Sequence, residues 1–207
     1  MDTYLFYGYE FLSEFLPFFL LFVTWKHFRK KSGLTNKKLS DFLLLLFVIY
    51  IMGVYHFTGA GTLYEGLRNQ WEFRNNLNVV PFSNDIDLVG YLLNILLFLP
   101  LGILVPLLWE QIHSLLCMTG IGVAFSLFIE GSQLLNFRAT DVDDLILNTA
   151  GTVIGFALYQ VFDRMTKSKY QQKEIPLTIL PISILLLFFG RFFLFDDMGL
   201  AKLLYEF

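Results

Sequence analysis

Six stretches of the chain, at about residues 5–25, 42–59, 88–109, 115–136, 144–162 and 176–195, are almost continuously apolar, and polar residues gather in the gaps between them. Each run is close to the ~20 apolar residues that a helix needs to cross ~30 Å of hydrocarbon. None alternates apolar and polar positions with the period of two required of a membrane β-barrel strand. The pattern therefore predicts an all-α fold, a polytopic transmembrane helix bundle of about six spans.

Inside this apolar background the third to fifth spans carry polar residues at helical spacing. Thr119, Gly122, Ser126, Glu130 and Gln133 follow steps of three and four, so they share one face of the fourth span. Asp141, Asp144, Asn148, Gly151 and Gly155 repeat that spacing in the fifth, and Gly151 with Gly155 forms a small-xxx-small pair that permits close backbone approach. About seven residues connect the two spans, which makes them adjacent and antiparallel and offers the fourth span as the glycine pair's partner. With a rise of ~1.5 Å per residue, Glu130, Asn148 and Asn94 all fall ~8–10 Å below the outer helix ends, where they can meet. Arg138, in the turn, is placed to fold back toward Glu130 and offset a carboxylate that is costly at membrane depth.

Several of these residues also have a plain structural reading. Thr140 and Asp143 are spaced as a capping box, and Asp141, Asp143 and Asp144 suit the positive end of a helix. Gly122, Gly151 and Gly155 fit helix packing, and Asn94 fits an interhelical hydrogen bond. Pro100 and Pro106 should kink the third span and open space beside it. Arg191, near the outer end of the last span, should snorkel to lipid headgroups.

Composition supports the membrane reading: the chain has 207 residues, 56% hydrophobic and 16% charged, too apolar a balance for a water-soluble core of this size. Lys26, Arg29, Lys30, Lys31, Lys37 and Lys38 follow the first span, and Arg164, Lys167, Lys169 and Lys173 follow the fifth. The positive-inside rule makes both connections cytoplasmic and turns both termini outward. Basic runs beside a span read as membrane anchoring, so no nucleic-acid partner is expected. The N-terminus has no basic residue before its apolar run and does not read as a cleavable signal peptide. The single Cys117 excludes an intrachain disulfide, and His27, His56 and His113 lack metal-ligand spacing, so neither a metal nor a cofactor is expected. No P-loop, dinucleotide fingerprint, GxSxG or HExxH pattern occurs. The connection over residues 60–87, with Trp71, Phe73, Pro81 and Phe82, is amphipathic enough to include an interfacial helix.

Four motifs occur in order: NVVPF at residues 78–82, GYLLNILLFLPLG at 90–102, FIEGSQ at 128–133, and Arg138 followed by DVDDLILNTAG ending at Gly151. With these the chain resembles the VanZ-like membrane protein family. The resemblance covers residues 78–162 as a core of three spans. Residues 1–77 add two spans, a basic loop and an outward connection, and residues 163–207 add a loop and the last span. The family is similar to an accessory protein of resistance to the glycopeptide teicoplanin, which implies a multi-pass protein of the bacterial cell membrane. Carried over residue by residue, the pattern implies that Asn94, Glu130, Gln133, Arg138, Asp141, Asp144 and Asn148 form a ligand-binding polar signature.

Two functions stay open on this reading. One is binding without chemistry, with membrane lipids and a lipoglycopeptide or lipid-linked cell-wall intermediate as partners, because polar groups in apolar walls suit a polar head on an acyl tail. The other is an enzyme acting on a phospholipid or polyprenyl-linked precursor, with Glu130 as general base, Arg138 on a phosphate, and Asp141 with Asp144 on a divalent cation. A transporter is disfavoured, since the polar residues cluster toward one side of the bilayer.

Overall fold

The computed structural model describes residues 3–31, 38–68, 77–83, 87–134, 140–172 and 175–195. Among them the chain forms helices α1 (Thr3–Lys31), α2 (Lys38–Thr58), α3 (Leu63–Arg68), α4 (Leu88–Leu108), α5 (Leu115–Gln133), α6 (Val142–Thr166) and α7 (Ile179–Leu194). Five, α1, α2, α4, α5 and α6, are long and apolar enough to cross a membrane. The protein is thus an all-α polytopic bundle. The sixth expected span is α7, whose 16 residues begin only at Ile179 because a turn follows Pro176. The Pro176 carbonyl accepts from the Ile179 N–H and from the Trp109 indole. At ~1.5 Å per residue α7 is ~24 Å long, short of the full hydrocarbon thickness.

The innermost layer of the bundle is α2, whose Leu44, Phe47, Val48, Ile51 and Tyr55 recur at three- and four-residue steps and are buried. Phe47 meets the edge of Trp109, and the Tyr55 hydroxyl donates to the Ile184 carbonyl of α7. Tyr50 donates likewise to the Leu97 carbonyl of α4.

Helices α4 and α6 make the closest pairing, and glycine is the reason. A Cβ at Gly151 would sit 2.3 Å from the Ile95 carbonyl oxygen, one at Gly155 would sit 2.0 Å from that of Leu99, and one at Gly102 would sit 2.1 Å from that of Thr152. The partners advance in the same direction along both helices, so α4 and α6 run parallel with backbone against backbone at these glycines. This corrects the expected partner: the Gly151–Gly155 pair packs on α4, not on its sequence neighbour α5. Gly122 of α5 does face α6, with Thr152 against it. Pro100 and Pro106 both lie within α4, which continues as one helix through Leu108.

Two short strands, β1 (Leu77–Asn78) and β2 (Thr140–Asp141), pair in parallel and tie the approach to α4 to the approach to α6. This pairing had no sequence signal, since each strand is two residues long. Within the connection over residues 60–87 the only helix among the described residues is the six-residue α3; Trp71 and Phe73 lie outside those residues.

On the far side of the bundle α1 runs antiparallel to α7: Tyr9 donates to the Leu194 carbonyl, Phe6 packs on Phe195, and Gly190 lies against the Ser13 and Glu14 backbone. Arg191 does not snorkel. It is 6% exposed, and its guanidinium donates to Glu10 at 2.7 Å, Glu14 at 2.6 Å and the Ala60 carbonyl at 2.7 Å. Full burial leaves it no path to headgroups, and two carboxylates one turn apart on α1 hold it instead.

Candidate functional site

The polar face of α5 is covered by α4, α6 and the end of α2, and a cavity of about 560 Å³ remains among them. Its polar wall is Asn94 from α4, Glu130 and Gln133 from α5, and Asp144 and Asn148 from α6. Five of the seven residues expected to bind a ligand are therefore brought to one place. Glu130, Gln133 and Asn148 are buried, while Asn94 and Asp144 are half-buried.

Three amide side chains build the wall by binding protein groups with their nitrogens. Asn94 Nδ2 donates to Asp144 Oδ1, which joins the two parallel helices above their glycine contact. Asn148 Nδ2 donates to Ser126 Oγ at 3.0 Å and joins α6 to α5. Gln133 Nε2 donates to the Thr58 carbonyl at 2.6 Å and draws α5 onto the last turn of α2. The oxygens Gln133 Oε1 and Asn148 Oδ1 are buried and have no hydrogen-bond partner among the described residues. A buried polar atom without a partner costs ~1–3 kcal/mol, so the site retains acceptors that a ligand can satisfy.

Apart from Thr58 and Gly90, the rest of the lining is apolar, and most of it is exposed. Phe57, Leu93 and Leu96 line the cavity and are 71%, 58% and 51% exposed, so it opens sideways between α2 and α4 into the space that lipid occupies. An amphiphile entering from the bilayer meets leucines and a phenylalanine first and amides and carboxylates last.

Asp141 sits outside this wall: its carboxylate caps α6 by accepting the Asp143 N–H at 3.0 Å, and both of its oxygens accept from Asn78 Nδ2 at 3.2 Å. It therefore acts as a helix cap and loop anchor, and Asp144 alone of that pair reaches the cavity. No group of three or more His, Cys, Asp or Glu side chains among the described residues is arranged to hold a metal ion.

Asp143 is a correction to the expected cap. Asp141 takes the N-cap, and Asp143, 2% exposed, accepts from the Phe82 N–H at 2.8 Å and the Tyr91 hydroxyl at 2.9 Å. Phe82 has a positive φ of 54°, a conformation unusual for a residue with a side chain, and this clamp and the Tyr91 ring hold it there. The NVVPF segment is thus the fixed outer rim beside the cavity. Arg138 lies outside the described residues.

Comparison with known proteins coincides with this geometry. The model of the VanZ/LLP1 family matches residues 42–163, which run from α2 to the end of α6 and contain every lining residue of the cavity. Over 115 residues the chain is 29% identical to Protein VanZ of Enterococcus faecium, covering 55% of this chain and 68% of that protein. No solved structure matches it.

Proposed function

The chain belongs to the VanZ/LLP1 family, and from that premise we propose that it is a cell-envelope protein of the bacterial cell membrane that binds a lipidated or lipid-linked molecule at the α4–α5–α6 cavity. The observation that carries this reading is the join of a buried acceptor-rich end to an apolar mouth that opens sideways. Such a site takes a polar head from one direction and leaves its acyl tail in lipid. The relative's name, Protein VanZ, extends the proposal to teicoplanin-type glycopeptide resistance, with the lipoglycopeptide itself or a lipid-linked cell-wall intermediate as ligand.

The site faces outward on the charge rule, because the basic connections after α1 and α6 lie at the opposite helix ends. In a Cys117→Ala background, a single cysteine at Ser168 should resist an impermeant thiol reagent in intact cells, while one at Asn136 should label. The reverse pattern would invert the topology.

A strain lacking the protein, and the same strain complemented, should differ in susceptibility to lipidated but not to non-lipidated glycopeptides. Glu130→Gln keeps the shape of the side chain and a hydrogen-bonding group but loses its basicity; Glu130→Leu loses the polar group as well. Binding without chemistry predicts partial function for the glutamine variant and none for the leucine variant at equal membrane level. Loss of function in a normally inserted Glu130→Gln protein, with an unprocessed lipid precursor accumulating, would instead make the protein an enzyme on a phospholipid or polyprenyl-linked substrate.

A further inference from the structure

We propose that the end of α6 opposite the α4–α5–α6 cavity forms a second and independent lipid site, where the Arg164 guanidinium holds the phosphate of an inner-leaflet phospholipid.

A polar cavity of about 180 Å³ lies where the connection before α5, the last turns of α6 and the connection after α6 meet. His113 lines it from the first, Tyr159, Gln160, Asp163 and Arg164 from the second, and Gln171 from the third. Local hydrogen bonds build the turn that closes it. Lys167 and Ser168 both hold a positive φ, 52° and 58°, which reverses the chain after α6. The Asp163 carbonyl accepts the Lys167 and Ser168 N–H groups, and its carboxylate accepts the Ser168 hydroxyl at 2.9 Å. Gln171 Nε2 then reaches back to the Tyr159 hydroxyl at 3.2 Å, and the Gln172 N–H donates to the Leu107 carbonyl of α4 at 2.9 Å. The walls of the cavity are therefore tied to the bundle.

The groups that line it are committed unevenly. Asp163 is engaged by Ser168, and His113 turns Nδ1 onto the Glu110 carbonyl at 2.9 Å. Arg164 is exposed and has no hydrogen bond or ion pair among the described residues. Its planar fork of N–H donors matches the oxygens of a phosphate. Lys167 and Lys169 add positive charge in the same turn, against the carboxylates Asp163 and Glu110. A basic pocket at the cytoplasmic ends of membrane helices suits an anionic lipid head group, and the positive-inside rule puts this end of α6 at the inner leaflet. Acyl chains also have a surface to follow: Val161, one turn before Arg164, is exposed, as are Leu115 and Leu116 just after His113. Free phosphate shares the head chemistry but gains nothing from those side chains.

Native mass spectrometry of the full-length protein, delipidated in a polyoxyethylene ether detergent, tests this with two lipids. Dioleoyl phosphatidylglycerol carries the phosphate, and dioleoylglycerol has the same tails without it. One charge-assisted hydrogen bond is worth about tenfold in affinity, so the phospholipid should bind at least that much more tightly. Arg164→Gln should remove the preference without moving the melting temperature, and Arg164→Lys should keep part of it. Leu93→Trp, which fills the mouth of the α4–α5–α6 cavity, should leave it unchanged.

Equal binding of the two lipids, or a preference that Arg164→Gln retains, would overturn the proposal. Should Arg164→Gln also lower the melting temperature, a stable Arg164→Lys protein decides: keeping the preference supports the site, and losing it overturns the site. A preference that Leu93→Trp abolishes would place the lipid in the α4–α5–α6 cavity, overturning this second site while leaving the amphiphile reading intact. Inorganic phosphate that displaces the phospholipid at equal concentration would make this a soluble-anion site and overturn the lipid assignment.

Discussion

Two polar clusters lie toward the same end of the bundle, away from the basic connections, and they are finished in opposite ways. In the α1–α2–α7 cluster the charges answer one another: Arg191 binds Glu10, Glu14 and the Ala60 carbonyl, and His56 contacts the other Glu10 oxygen at 2.9 Å. In the α4–α5–α6 cluster each amide nitrogen makes a bond to protein, but two buried amide oxygens have no partner among the described residues and face a cavity. The first arrangement fastens helices together, and the second reserves hydrogen-bonding capacity for something that is not protein. The residues matched by the family, 42–163, take in the whole cavity lining and leave out α1 and α7, which carry Glu10, Glu14 and Arg191.

The comparison breaks most visibly at Arg191. Replacing it with methionine leaves Glu10 and Glu14 facing each other in a buried site, which should cost ~3–5 kcal/mol, read as a large loss of thermal stability in detergent and of protein in the membrane. Adding Glu10→Gln and Glu14→Gln to that variant should recover most of the loss. A single Arg191→Met protein as stable as its parent would show that the cluster does not fasten α1 to α7.

Gly155→Ala should cost less, ~1–3 kcal/mol, because its new methyl group meets the Leu99 carbonyl and α4 must move off α6. The same movement would stretch the Asn94–Asp144 bond, so ligand binding should fall together with melting temperature, whereas Arg191→Met should affect stability first.

A smaller effect sharpens the cavity side. If Arg138 offsets Glu130, a double-mutant cycle between them should show ~0.5–3 kcal/mol of non-additivity in stability or in resistance. Simple additivity in both measurements would remove that pairing.

Smallest of all is Gln133→Leu. It deletes the bond to the Thr58 carbonyl but also deletes an unanswered oxygen, so thermal stability should change by only ~1 kcal/mol while binding of the amphiphile's polar head falls sharply. That dissociation of stability from binding is what a fastening residue cannot show.

The cavity was legible in the sequence because its geometry is mostly local. Glu130 and Gln133 share a face through the three-residue step, and depth follows from counting residues to a short turn, which placed Asn94 and Asn148 at the same level. The cap was not legible, because three aspartates within four positions can each cap a helix and only the backbone decides that Asp141 stands at the N-cap. Arg191 was misread for a different reason. Its partners lie 177 and 181 residues away, and no local spacing in α7 announces them. A signal did exist in α1, where Glu10 and Glu14 put two acids one turn apart inside an apolar span that has to neutralise them. The glycine pair was recognised but assigned to the wrong neighbour, since chain proximity favours α5 while the parallel pairing with α4 has to skip a helix.

That skipped helix sets an order of events during synthesis. The ribosome makes α4, then α5 with Glu130 and Gln133, and only afterwards the residues of α6 that complete the wall and, through β2, meet β1 some sixty residues upstream. The polar face of α5 therefore reaches the lipid before α6, the last part of its cover, exists, and the membrane-insertion machinery has to hold α5 until α6 emerges or pass the two across as a hairpin.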